Sequence, residues 1–309
     1  MKNRQDESLR SMTNNSSEKS SLSPVIITSP SDIGVRRNSG RNGSRYAPKA
    51  ITEQLLKLND HMEDYDSISV IQVSSQAQEK LNFEQAQLNS SKKILSSLEE
   101  HKNNNQKFVH IGGGHDHVYP LLKAINDSKK YKNILILNID AHCDTRVDQR
   151  SHSGTPFRDF DLTSSTPFHL IQYGIHIATN SKSTLTPLKN GSEKHFHIND
   201  LINTTKCFSN IGKINKSDLL AGCPFDIDPD TAIVISLDSD AIDGANMKGV
   251  SAVNGLGLPL NHTYLLINTF AQLKAKNHFF GIYEYNPVYD DLSNLGARSI
   301  ARIIYDFII

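Results

Sequence analysis

The chain has 309 residues, 37% of them hydrophobic, enough for one large α/β unit with a sizeable core. Lys plus Arg and Asp plus Glu number 33 each, so no global field favours nucleic acid, an anionic membrane or another strongly charged partner. No stretch approaches the roughly 20 apolar residues of a membrane span. The three cysteines, Cys143, Cys207 and Cys223, show no paired spacing and cannot all be bridged within one chain, which fits a reducing, cytoplasmic setting. Residues 1–22 carry no apolar core, so a secretory signal is not expected there. Their Ser, Asn and charge content predicts a disordered or weakly ordered tail ahead of a single domain over 23–309.

From Pro24 onward, strand-like apolar runs alternate with helix-like stretches. "VIIT" (25–28) and "SVIQV" (69–73) predict short strands. Residues 77–101 predict a helix with Ala77, Leu81, Leu88, Leu95 and Leu98 on one side and Phe83 and Ile94 off that stripe. "KFVHIGGG" (107–114) is a strand ending in glycines, followed by a helix over 117–130 with Pro120 tolerable in its first turn. "NILILNID" (133–140) is the next strand, and "HLIQYGIHI" (169–177), "AIVISLD" (232–238) and "HFFGIYEYN" (278–286) follow. The polar stretch 180–194 reads as a loop. A helix is predicted over 261–276, with Asn261 or Thr263 near its N-cap. At the C-terminus, Ala297, Ile300, Ala301, Ile304 and Ile308 fall at helical spacing, as core packing. This alternation predicts βαβ units and a parallel sheet covered on both faces, with ligands bound beyond the carboxyl ends of its strands.

Three of these strands end in groups able to hold a metal: His115 in "IGGGHD", Asp140, His142 and Asp144 in "DAHCD", and Asp238 and Asp240 in "SLDSD". In extended chain, alternate residues point to the same side, so each set can converge. Taken singly, "GGGH" could be a Gly-rich turn and "SLDSD" a helix cap. Together they bring four carboxylates and two imidazoles to one place, where they repel unless cations separate them. Two divalent ions about 3.5–4 Å apart suit six such ligands with bridging carboxylates. Oxygen-rich ligation with imidazole and no thiolate favours two Mn²⁺ per subunit, with Mg²⁺, Fe²⁺, Co²⁺ or Zn²⁺ as alternatives. Cys143, between two ligands, is expected to point away.

At these residues the sequence resembles the ureohydrolase superfamily, which includes arginase, agmatinase and formimidoylglutamase. The matching stretches are "GGGHD" (112–116), "NIDAHCDTR" (138–146), "SLDSDAID" (236–243), "GVSAVNGLGL" (249–258) and "YEYNP" (283–287). The resemblance implies a three-layer αβα sandwich on a mostly parallel sheet, an arginase-like catalytic domain over 23–309, and a homo-oligomer, trimer or hexamer. It gives His115, Asp140, His142, Asp144, Asp238 and Asp240 the six metal-ligand places.

Within the superfamily, "SDIGVRRNSGRNGSRYAPKAI" (31–51) and "SGTPFRD" (153–159) resemble the formimidoylglutamase branch. That branch implies hydrolysis of N-formimidoyl-L-glutamate, a small-molecule amidine, to L-glutamate and formamide, a step of histidine degradation. Asp144 would steady the attacking water and relay its proton, and Glu284 would pair with the amidinium. In arginases and agmatinases a proton-transfer histidine directly precedes the glycine that corresponds to Gly154. Here Ser153 holds that place and His152 stands one residue earlier, leaving His152 as the candidate shuttle. Arg146 offers a fork for a substrate carboxylate, unless it pairs with Asp148. Ser153, Gly249, Val250 and Ser251 are expected at the pocket wall, and Asp116 and His117 beside His115. The competing readings are an agmatinase, guanidinobutyrase or arginase releasing urea, and a catalytically silent metal-bound binding protein. Arg36, Arg37 and Arg41 are too few for a nucleic-acid face.

Overall fold

The computed structural model describes residues 24–58, 69–75, 77, 80, 82–101, 106–182, 184–203 and 214–309. The expected tail, residues 1–22, lies outside them, as do Leu81 and Cys207. Among the described residues the aliphatic runs form β1 (Val25–Ser29), β2 (Ser69–Gln72), β3 (Lys107–Gly112), β4 (Asn133–Ile139), β5 (Phe168–Ile175), β6 (Ser192–His197), β7 (Thr231–Asp238) and β8 (His278–Tyr283). They make one sheet in the order β2-β1-β3-β8-β7-β4-β5-β6, and every pairing is parallel.

Alternation along the strands feeds two apolar layers. Ile26, Val109, Leu135, Leu137, Ile233, Ile235 and Phe280 face α2 (Ala47–Leu56), α8 (Leu260–Ala271) and α9 (Leu295–Ile308). Ile27, Phe108, Ile134, Ile136, Val234 and Phe279 face α3 (Phe83–Glu100), α4 (Val118–Asp127) and α5 (Pro156–Thr163). The result is the expected αβα sandwich, and the C-terminal residues Ala297, Ile300, Ala301, Ile304 and Ile308 pack as read. Shorter helices α1 (Ile33–Arg37), α6 (Ile198–Asn203) and α7 (Lys216–Leu220) lie between these elements.

Several elements differ from the sequence reading. The stretch 180–194 does not end as a loop, because β6 begins at Ser192. Its polar "SEKHFH" pattern suits an edge strand, paired among the described residues through β5. Helix α3 starts at Phe83, where the Asn82 side chain caps Gln85 N at 2.9 Å. Its buried stripe runs along Phe83, Ala86, Ser90, Ile94 and Leu98, so Phe83 and Ile94 are core and Leu88 and Leu95 are only half-buried. Helix α8 begins after Pro259 and stops at Ala271, and β8 stops at Tyr283 because Glu284 takes a left-handed backbone at φ 60°.

Candidate metal centre

Strands β3, β8, β7 and β4 are neighbours, and the chain leaving the carboxyl end of each carries an acid or a histidine. His115 follows β3, Asp140, His142 and Asp144 follow β4, Asp238 closes β7 with Asp240 just beyond, and Glu284 follows β8. All the predicted ligands meet. The ligand atoms of His115, Asp140, Asp144 and Asp238 lie within 4.8 Å of one another, as do those of Asp140, His142 and Asp240.

Asp140 belongs to both groups. Its Oδ2 lies 3.1 Å from His115 Nδ1 and its Oδ1 3.4 Å from His142 Nδ1. His115 Nδ1 also faces Asp144 Oδ2 at 2.9 Å and Asp238 Oδ2 at 3.2 Å, and His142 Nδ1 faces Asp240 Oδ2 at 3.4 Å. Local backbone bonds preset the acids: His142 N donates to Asp140 Oδ1 at 2.7 Å and Asp240 N to Asp238 Oδ1 at 2.8 Å. Asp144 and Glu284 are both held at positive φ, 51° and 60°. Such backbone costs about 1–3 kcal/mol per residue and persists where the surroundings enforce it.

Electrostatics explain why a cation fits. Burial pushes Asp238 well above the carboxylate range, and the charges of Asp240 and Asp140 push it further. Asp144 rises for the same reason, first burial and then Asp140. Burial opposes ionisation of Asp140 too, but the facing imidazoles of His115 and His142 outweigh it and hold this carboxyl low. Asp240 raises His142. His115 Nδ1 is buried without a hydrogen-bond partner, as is Asp240 Oδ1. A divalent cation satisfies these atoms and removes the repulsion together, so the residues present fit a metal.

Ser236 Oγ sits 2.8 Å from His115 Nε2. This bond engages the ring nitrogen away from the acids and leaves Nδ1 free to ligate. Next to His115, Asp116 accepts from Gln87 Nε2 at 2.6 Å, and His117 Nε2 lies 3.7 Å from Asp116. Glu284 Oε1 accepts from His115 N at 3.1 Å, and burial raises the Glu284 carboxyl to about 8. Cys143 is fully buried outside both ligand groups, as expected.

Arg146 does not pair with Asp148. Its Nη1 donates to Asn38 Oδ1 at 2.6 Å, and Asn38 Nδ2 donates to Ser153 Oγ at 3.2 Å. Gly154 lies beneath the arginine, where a Cβ would come 3.2 Å from Nε. Asp148 instead takes His152 Nε2 at 2.8 Å, while His152 Nδ1 accepts from Gly154 N at 3.0 Å. Both ring nitrogens of His152 are therefore engaged, and proton transfer by this residue would require the ring to leave them. Val250 is buried in the core, Gly249 O accepts from Asn286 N at 2.7 Å, and Ser251 Oγ accepts from Arg41 N at 3.1 Å. Arg36 and Arg37 are paired to Asp32 and Glu84, at 3.2 and 2.6 Å.

A model of the arginase family matches residues 23–309. The chain belongs to the arginase family. Among relatives of this arginase-family chain, formimidoylglutamase from Staphylococcus haemolyticus is 30% identical over 90% of this chain and 83% of its own. Formimidoylglutamase from Cupriavidus pinatubonensis is 28% identical over 92% of this chain and 85% of its own. The fold matches formimidoylglutamase from Bacillus subtilis with a TM-score of 0.72 at 20% identity, covering 93% of this chain and 86% of that one. It also matches formiminoglutamase from Trypanosoma cruzi, solved with Mn²⁺, with a TM-score of 0.70 at 19% identity, covering 95% of each chain. Asn38 and Ser236, which bond to Arg146 and His115, were not singled out from the sequence. Their partners stand 108 and 121 residues away along the chain, so no local pattern marks them.

Proposed function

We propose that the protein hydrolyses N-formimidoyl-L-glutamate to L-glutamate and formamide, with a catalytic domain over 23–309. The observation that carries the choice of substrate is Arg146: two residues beyond Asp144, half-exposed, and bonded to an amide rather than an acid. Its guanidinium is left to take a substrate carboxylate, which formimidoylglutamate has and agmatine lacks. The formimidoylglutamase relatives support the same branch.

His115, Asp140, Asp144 and Asp238 would hold one Mn²⁺, and Asp140, His142 and Asp240 a second. When bound, such a pair lowers the pKa of a shared water toward neutrality. Asp144 accepts a proton from the attacking water and passes it to the leaving amine. Glu284, fixed by its bond from His115 N, orients the amidinium NH₂ so that the trigonal carbon faces the attacking oxygen. Arg146, steadied by Asn38 and Gly154, binds the glutamyl carboxylate and fixes the reacting end against the acids. Ser153, through Asn38, and the 249–251 turn shape the mouth. The attacking oxygen joins the formimino carbon, the bond from that carbon to the glutamate nitrogen breaks, and formamide departs.

The proposed enzyme works in the cytoplasm as a homo-oligomer, trimer or hexamer. No helix among the described residues is long and apolar enough to cross a membrane. Formamide release from N-formimidoyl-L-glutamate, present with Mn²⁺ and abolished by chelation, is the expected result. Metal-loaded protein that leaves this compound intact would remove the proposal.

A further inference from the structure

A tyrosine at the last position of a fully buried strand must find a partner for its hydroxyl. Tyr283 is 0% exposed, and its hydroxyl lies 3.0 Å from His110 Nδ1. The other ring nitrogen of His110, Nε2, lies 2.9 Å from Ser29 Oγ. The three residues stand on β8, β3 and β1, neighbouring strands, and make a buried line of hydrogen bonds across the sheet. A neutral imidazole has one donor and one acceptor, and this arrangement uses both.

Two glycines make room for the tyrosine ring. A Cβ on Gly281 would sit 2.3 Å from the Tyr283 hydroxyl, and one on Gly112 would sit 2.7 Å from its Cδ1. The ring therefore lies across the backbone where side chains are absent. Its face is turned to His115, with ring centroids 5.1 Å apart and planes 21° from parallel. Phe157 meets the same imidazole edge-on at 5.6 Å.

We propose that Tyr283 is a positioning residue for His115, locked by His110 and Ser29 so that the imidazole plane keeps Nδ1 on the acids. The inference rests on His115 being a metal ligand. Ser236 fixes which nitrogen faces the acids, and Tyr283 fixes the plane in which it does so. An aliphatic residue would fill the same volume without burying a hydroxyl, an imidazole and a serine. Such a line of hydrogen bonds specifies orientation. Loss of outer partners of this kind typically lowers metal affinity about 10–100-fold.

The test is titration of the full-length apoprotein with Mn²⁺, followed by calorimetry and electron paramagnetic resonance. Tyr283→Phe keeps the ring and removes the lock, and His110→Phe removes it from the other side. Each should weaken one of the two Mn²⁺ equivalents about tenfold. The signal of a spin-coupled pair should then give way to that of isolated Mn²⁺ at limiting metal. The double variant should lose no more than either single one, because both break the same bond. Tyr283→Leu, which also removes the stacked face, should lose more. If that variant fails to fold, the two near-isosteric phenylalanine variants decide alone. Unchanged affinity for both equivalents in them, with only a lower Tm, overturns the assignment. Wild-type protein that takes up no Mn²⁺ pair would instead overturn the metal reading itself.

Discussion

Asp238→Asn should change stability in opposite directions with and without metal. Asp238 is 3% exposed, its Oδ2 is 3.2 Å from His115 Nδ1, and burial with the charges of Asp240 and Asp140 opposes its ionisation. In the metal-free protein the amide has no charge to bury and can still accept from Asp240 N, so Tm should rise slightly. With Mn²⁺ the order reverses. At a concentration of about 100 Kd, a ligand that binds only the folded state stabilises it by about 2.7 kcal/mol. If losing one anionic ligand weakens binding ~100-fold, the same Mn²⁺ concentration stabilises the variant by only about 0.4 kcal/mol. Differential scanning with and without Mn²⁺, alongside metal analysis of the gel-filtered protein, measures both parts. A variant that keeps the full Mn²⁺-dependent rise and both ions would refute the assignment of Asp238.

Arg146→Ala should raise KM for a dicarboxylate amidine about 10–150-fold, the equivalent of about 1.5–3 kcal/mol for hydrogen bonds to charged groups. KM for agmatine should hardly move, and equal effects on both in steady-state assays would count against carboxylate recognition. Asn38→Ala unties the same guanidinium, so a smaller KM increase with unchanged metal content is expected. His110 titrates in the folded protein at about 3 instead of 6.5, because burial and then His117 disfavour its charge. The unfolded chain therefore binds the extra proton first, and His110 withdraws stability as pH falls from 6.5 toward 3, at up to about 1.4 kcal/mol per pH unit. Urea unfolding midpoints across that window should fall less steeply for His110→Phe.

The parts of the fold legible in the sequence are those where one residue type decides the outcome locally. β4 and β7 are continuous aliphatic runs buried on both faces, and nothing else suits "ILIL" or "AIVISL" as well. The residues that meet at the candidate metal centre were legible because acids and histidines cluster just past buried strand ends, although turns rather than strand alternation aim them: β4 stops at Ile139, Asp144 sits at φ 51° and Asp240 lies in a single helical turn. β6 was not, since an edge strand of "SEKHFH" gains its place from pairing with β5 rather than from its own hydrophobicity. The buried face of α3 follows from what the helix packs against and not from its leucine spacing: Phe83, Ile94 and Leu98 are buried while Leu88 and Leu95 stay half-buried. What Arg146 and His152 bond to depended on which of Asn38, Asp148 and Gly154 the fold brought nearest, and spacing along the chain does not encode that.

The central claim is tested most directly by a substrate panel on Mn²⁺-loaded protein. It sets N-formimidoyl-L-glutamate beside arginine, agmatine and 4-guanidinobutyrate, with formamide and urea followed together. Turnover of the first alone, with formamide as product and kcat/KM lost on chelation, is the predicted result. Urea from any of the guanidines, with N-formimidoyl-L-glutamate left intact, would contradict it.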